Sequence, residues 1–156
     1  MKLSFLTSAL VLALVTAAAA HDFKVGALVI DHPWSRATPK GAAVAGGYMK
    51  ITNTGTTPDR LTGGTTDAAK KFEIHEMKME GSVMKMRELS DGLEIPPGAT
   101  VELKPGSYHI MMTTLARPFA KGDFVKASLI FEKAGKVDIE FAVDAAGGGG
   151  AKEHKH

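Results

Sequence analysis

The sequence predicts an all-β domain, built as an antiparallel sandwich or barrel. Short stretches rich in β-branched and aromatic residues recur along the chain, and apolar and polar side chains alternate within them, as in half-buried strands. Turn dipeptides containing Gly or Pro separate these stretches. We expect no long helix, and only residues 65–71 (TTDAAKK) fit a single helical turn.

The strand candidates follow one another at the short spacing that is typical of sandwiches and barrels. No internal repeat is visible, and no composition shift divides residues 21–144, so we expect one domain there. In chain order the candidates are KVGALVIDHPW, GGYMKITNTG, KFEIHEMKME, VMKMREL, ATVELKP, YHIMMTTL, DFVKASLIFEK and KVDIEFAVD. The turns that separate them include Gly55–Pro58, Gly81-Ser82, Pro96-Pro97-Gly98, Pro105-Gly106, Lys121-Gly122 and Ala134-Gly135.

Residues 1–20 have the pattern of a cleavable signal peptide. Lys2 precedes an apolar stretch over residues 3–15, and a run of small residues ends at Ala20. The apolar stretch is too short for a membrane-spanning helix. We therefore expect cleavage before His21, export to the periplasm, and no membrane insertion of the mature chain.

The C-terminal residues 145–156 predict a flexible tail. Four consecutive glycines, Gly147–Gly150, form a linker, and His154 and His156 follow it. Two interpretations stay open from composition alone: a solvated terminus with incidental histidines, or a tail that captures metal.

Composition excludes several classes of function and of metal site. The chain carries 19 Lys and Arg against 17 Asp and Glu, a formal charge of +2, and no basic patch with interleaved aromatics. Nucleic acid is therefore not an expected partner. The chain contains no cysteine, although exported domains often use disulfides. Its fold must rest on its core, and no metal in it can have a thiolate ligand.

The stretch EIHEMKMEGSVMKM, residues 73–86, concentrates four of the eight methionines beside one histidine. With Gly81-Ser82 as a two-residue hairpin loop, residue 79 lies opposite 84, 77 opposite 86, and 75 opposite 88. Because side chains alternate faces along a strand, one face then holds a set of thioethers and one imidazole. That set is His75, Met77, Met79, Met84 and Met86.

A second strand, within HIMM, repeats the combination of histidine and methionine. His109 and Met111 share one face, and Met112 points to the other. Methionines on a strand pack a core more often than they bind metal. Two features favour ligation here: charged residues alternate with the hairpin methionines, and a bland core avoids an imidazole without a partner. Thioether sulfur is soft and neutral, so these ligand types select Cu(I).

These residues resemble the periplasmic copper chaperones of the PCu(A)C family, whose motif runs H-(M)-x10-M-x21-H-x-M. Ten residues separate His75 from Met86, and His109-Ile110-Met111 matches the closing H-x-M. Residues 87–108 number 22, one more than the motif has.

We expect the extra residue in the loop Leu89–Gly92, and Met77 or Met84 as the replacement ligand if the register slips. The resemblance extends over nearly all of the mature chain. It includes the segments HDFKVGALVIDHPWSRAT, GGYMKITNTGTTPDRL, EIPPGATVELKPGSYHIMM and GDFVKASLIFEKAGKVDIEFAV.

The resemblance implies a cupredoxin-like Greek-key β-sandwich. It implies a monomer that is not an enzyme, and that carries Cu(I) in the periplasm for the dinuclear copper centre of cytochrome c oxidase. The partner would be the oxidase subunit with that centre, or another periplasmic copper chaperone. Family members with similar tails also take up Cu(II), here through His154 and His156. The Cu(I) ligands would be His75, Met86, His109 and Met111.

Four other functions are alternatives to a copper chaperone. An electron-transfer cupredoxin needs a cysteine ligand, which the chain lacks. An enzyme would need a catalytic arrangement, and only a histidine brace at His21 offers one. Copper sequestration or resistance uses the same site for another purpose. A metal-free secreted β-sandwich would use the methionines as an interaction surface.

Overall fold

The protein is described here from a computed structural model, which covers residues 22–145. The described residues contain no helix, and so none that could cross a membrane. The strands are β1 (Phe23–Val25), β2 (Leu28–Arg36), β3 (Val44–Asn53), β4 (Asp59–Thr65), β5 (Ala69–Glu80), β6 (Val83–Glu88), β7 (Leu93–Ile95), β8 (Thr100–Leu103), β9 (Tyr108–Leu115), β10 (Phe124–Phe131) and β11 (Gly135–Asp144).

The strands form one continuous sheet with Greek-key crossovers. Its order is β6-β5-β9-β8-β3-β2-β11-β10-β4-β7, with β1 added to β2. Most neighbours are antiparallel, and the parallel pairs are β2 with β11 and β8 with β9. The expected all-β, cupredoxin-like sandwich is therefore confirmed, and β5 and β9, which carry the two candidate histidines, are adjacent.

The sheet curls over until strands near its two ends meet. β4 contacts β5 although the two do not pair. Gly64 of β4 lies so close to the Phe72 ring of β5 that a Cβ there would come within 2.5 Å of it. Only glycine fits this approach, which lets the curled sheet enclose one core.

Alternation along the strands separates a core face from an outer face. On β3 the residues from Ala45 to Asn53 are alternately buried and partly exposed. Met49, Ile110 and Met112 belong to the cluster of buried apolar side chains, and Met112 thus lies on the face opposite His109 and Met111, as the sequence predicts. Burial on this scale, at roughly 25 cal/mol per Å² of apolar surface, stabilises a domain that has no disulfide.

The helical turn expected over residues 65–71 is wrong. β4 ends at Thr65, β5 begins at Ala69, and a turn joins them. The Thr66 hydroxyl donates to the Lys126 carbonyl at 2.7 Å and accepts from the Ala68 amide at 3.2 Å. The second bond satisfies the Ala68 amide locally, and the first ties the turn to β10, so neither needs a helical turn.

The β5–β6 hairpin has the register that the sequence predicts. Glu80 pairs with Val83 across a loop of two residues, in which Gly81 has a φ of +65°. Positive φ at this position is typical of tight hairpin turns and favours glycine. Met79 consequently lies opposite Met84, and Met77 opposite Met86.

Candidate metal centre

Two histidines lie side by side on neighbouring strands. His75 of β5 pairs directly with His109 of β9, and on its other side it pairs with Glu88 of β6. Directly opposed residues of an antiparallel pair project from the same face, with Cβ atoms about 5 Å apart. The fold therefore brings together two imidazoles that are 34 residues apart in the chain.

These histidines lie on the face opposite the apolar core, but they are nearly buried. They alternate with Ile74 and Ile110, which belong to the core cluster, so the imidazoles project the other way. His75 is only 9% exposed and His109 only 7%. Water is thus largely kept from both rings.

One nitrogen of His75 is held by a carboxylate, and the other has no partner. Nε2 lies 3.0 Å from Oε2 of Glu73. Because a carboxylate accepts, Nε2 carries the hydrogen, and in the neutral ring Nδ1 then bears a free lone pair. That Nδ1 is buried and has no hydrogen-bond partner among residues 22–145. An open lone pair in a buried position is costly unless a ligand occupies it.

His109 has the complementary arrangement. Its Nδ1 lies 3.2 Å from the Ser107 carbonyl oxygen, which can only accept, so Nε2 bears the free lone pair. Burial lowers the pKa of His109 below its ordinary value and neighbouring His75 adds to this, although the hydrogen bond to Ser107 opposes the shift. The ring is therefore neutral near pH 7, as a metal ligand must be.

The two rings are spaced as two ligands of one ion can be. Their centroids lie 5.6 Å apart, and the ring planes are tilted by 43°. A nitrogen–metal distance of about 2 Å allows the centroids of two imidazoles on one ion to be up to about 6.5 Å apart. Hydrogen bonds from the remaining N–H groups to a carboxylate and a carbonyl are also typical of metal-bound histidines. The pair thus fits a metal ion.

Methionines flank the histidine pair on two sides. Met111 follows His109 by two residues on the same face and lies opposite Glu73. On the other side, Met77 and Met86 form the next cross-strand pair. At ideal strand spacings the Cα atoms of Met86 and Met111 are about 16 Å apart, so contact of both with one ion requires the hairpin to bend toward β9.

The other sequence candidates are not part of this cluster. Met84 pairs with Met79 one row further toward the hairpin turn, and both are exposed. His154 and His156 lie outside the described residues, as do His21 and the signal segment. In residues 22–145 no three His, Asp or Glu side chains group to hold a metal.

Two partners of the histidines escaped the sequence analysis. Glu73 precedes His75 by two residues, so strand alternation places it on the same face and could have identified it. Ser107 contributes only its backbone carbonyl, for which the sequence carries no signal.

Comparison with known proteins identifies the family. Residues 28–143 match the LpqE-like lipoproteins. The chain belongs to this family. One relative, the lipoprotein Lxx21020 of Leifsonia xyli subsp. xyli, is 32% identical over 102 residues. That match covers 65% of the chain and 60% of the relative, which is less than two thirds of its length.

Solved structures similar to this LpqE-like protein are PCuAC domains. The copper-bound PCuAC domain from PmoF2 has a TM-score of 0.69 and 31% identity, over 80% of this chain and 98% of that domain. The apo form of the same domain gives 0.70 and 30%, over 84% and 100%. The Cu(I) form of DR1885 from Deinococcus radiodurans shares the fold, with a TM-score of 0.62 and 24% identity over 81% of this chain and 83% of that one.

Proposed function

We propose that this protein is an extracytoplasmic copper chaperone that carries one Cu(I) at His75 and His109. The observation that carries the proposal is a free nitrogen lone pair on each of two adjacent rings: on His75 Nδ1, which is buried without a partner, and on His109 Nε2, whose ring is 7% exposed. The copper-bound PCuAC domain, which has the same fold at 31% identity, supports the proposal that these two histidines bind copper. The lipoprotein-like relatives support an extracytoplasmic location.

Thioether sulfur from Met111 and Met86 completes the ligand set, and Met77 is the nearest substitute for Met86. Met111 is partly buried beside His109, whereas Met86 is exposed on the hairpin. Two-stranded ribbons twist strongly, which lets the hairpin approach β9 when copper is present. Two imidazoles and two thioethers are all neutral and soft enough for Cu(I), and they do not retain it as firmly as thiolates do. Such a set suits transfer.

The proposed recipient is the dinuclear copper centre of cytochrome c oxidase, reached directly or through another periplasmic copper chaperone. Cu(II) captured at His154 and His156 would enter the same route after reduction. Deleting the gene separates delivery from sequestration. We expect loss of oxidase activity that added copper restores, whereas copper sensitivity with normal oxidase would assign the site to sequestration.

The direct test is a Cu(I) titration of the full chain in competition with a chromogenic chelator. We expect one tight site per chain, weakened at least 100-fold by His109→Ala because one of two strong donors is lost. His32→Asn is the matched control, since His32 is exposed and its φ of +46° is one that Asn tolerates. No tight site, or equal affinity in His109→Ala, would refute the proposal and leave a metal-free interaction domain.

A further inference from the structure

The end of the β5–β6 hairpin projects beyond the rest of the sheet. The last pair between β5 and β9 is Glu76 with Tyr108, so residues 78–85 pair only with each other in the described chain. We call residues 77–86 the methionine ribbon. Every residue of β6 is exposed.

The two faces of the methionine ribbon have different chemistry. One face carries charges, where Lys85 lies 2.6 Å from Glu80 and the Arg87 guanidinium donates two hydrogen bonds to Glu76 beside the ribbon. The other face carries only thioethers. They are arranged as two cross-strand pairs, Met77 with Met86 and Met79 with Met84.

Packing does not explain the outer pair. Met79 is 54% exposed and Met84 46%, whereas the core methionines Met49 and Met112 are 2% and 0% exposed. Burying a methionine stabilises a protein because it removes apolar surface from water, and this pair forgoes much of that gain. Exposed methionines that contribute little to the fold call for another role.

The pairing geometry suits a soft metal ion. Met79 and Met84 are directly opposed, so their Cβ atoms lie about 5 Å apart on one face. The side chain of methionine is long and adaptable, which lets both sulfur atoms approach one ion. No carboxylate shares that face of the ribbon, so hard cations find no oxygen ligand there, and thioethers select Cu(I) or the similar Ag(I).

We infer that Met79 and Met84 form a second, weaker site for a soft monovalent ion at the tip of the methionine ribbon. The pair Met77 with Met86 lies about 7 Å further along the strands, and the histidine pair lies about 7 Å beyond that. An ion can therefore move in short steps between the exposed tip and the buried histidines. The role of the tip in loading and releasing copper rests on the proposed function, but the binding of a soft ion at the tip does not.

The experiment is a titration of the full chain with Ag(I), which does not change oxidation state, followed by NMR of methyl-labelled methionines. We expect the first equivalent to shift the methyl of Met111, and further Ag(I) to shift those of Met79 and Met84 with at least 100-fold weaker affinity. Met49 and Met112 serve as internal controls because they are buried in the core.

Two variants separate this inference from the proposed function. In Met79→Leu/Met84→Leu, which conserves volume, we expect the weaker binding to fall at least tenfold while Met111 responds as before. In His109→Ala the responses of Met79 and Met84 should persist. If Ag(I) shifts the methyl signal of Met111 but not those of Met79 and Met84, the tip site alone is refuted. If the signals of Met79 and Met84 shift but that of Met111 does not, the histidine site alone is refuted. If none of the three signals shifts, both sites are refuted.

Discussion

Asp59 and His75 are both buried polar side chains, but they differ in how fully their polar atoms are hydrogen-bonded. Asp59 begins β4, and its carboxylate accepts three backbone N–H groups, from Arg60, Lys133 and Ala134, at 2.7–2.9 Å. His75 has one partner for Nε2 and none for Nδ1 among the described residues. Full satisfaction is typical of a group that holds the architecture together, whereas the open lone pair of His75 fits the ligand role that we propose for it.

The methionines repeat the same contrast. Met49 and Met112 fill the core, while the four methionines of the ribbon lie on a face that covers no part of it. Side-chain type is identical in the two places, so only position in the fold separates packing from the proposed ligation.

Replacing His75 by Leu should give the largest loss of copper affinity and should leave the stability of the apo protein nearly unchanged. The substitution removes one of two imidazole donors, and we expect Cu(I) affinity to fall about 1000-fold, equal to about 4 kcal/mol. The free energy of unfolding of the apo protein should not fall by more than about 1 kcal/mol, because an unpaired buried nitrogen is replaced by apolar atoms. Chelator competition and urea unfolding measure the two quantities. A large loss of stability with intact copper binding would make His75 a structural residue and end the contrast with Asp59.

Asp59→Asn should have the reverse profile. The amide NH₂ cannot accept, so one or more backbone N–H groups lose their partner, and we expect the free energy of unfolding to fall by about 2 kcal/mol. Copper affinity should stay within twofold, which the same competition assay checks.

The difference in stability between the wild type and Asp59→Asn should also depend on pH. Burial alone would raise the pKa of Asp59, but the hydrogen bonds from Lys133, Arg60 and Ala134 outweigh it and hold the pKa below its ordinary value of 3.8. The carboxylate therefore stabilises the fold fully above about pH 4, and this contribution is lost as pH falls through the lowered pKa. The gap in stability between wild type and Asp59→Asn should accordingly narrow below pH 4. A gap that stays constant down to pH 2 would show that charge plays no part.

Much of this architecture could be read from the sequence because it follows from local rules. The two-residue turn at Gly81-Ser82 and strand alternation together fixed the register of β5 and β6, and so the common face of His75 and Met86. The pairing of His75 with His109 depends on β5 meeting β9 across a crossover, which only long-range topology determines. The Ser107 carbonyl and the free Nδ1 of His75 depend on that same topology.

At residues 65–71 the sequence led to a wrong prediction, that of a helical turn. Its composition permits a helix, but Thr66 bonds to Lys126 on a distant strand, and that tertiary contact decides the local conformation. Propensity is a weak guide wherever a side chain finds a partner far along the chain.

Glu73 should give a smaller loss of copper affinity than His75, because it acts on copper only through the His75 ring. Its carboxylate fixes the ring by accepting from Nε2, and loss of such a partner costs typically 10–100-fold in metal affinity. We expect Glu73→Ala to weaken Cu(I) binding within that range. Glu73→Gln keeps an oxygen that can accept and should recover most of the loss.

Glu88→Gln is the matched control, because Glu88 lies opposite His75 on β6 and is exposed. It removes the same charge from the same face while leaving the hydrogen bond of His75 intact. If Glu88→Gln weakened copper binding as much as Glu73→Ala does, the carboxylates would act through charge alone. In that case orientation of the His75 ring, and with it the free Nδ1, would not be what prepares this site for copper.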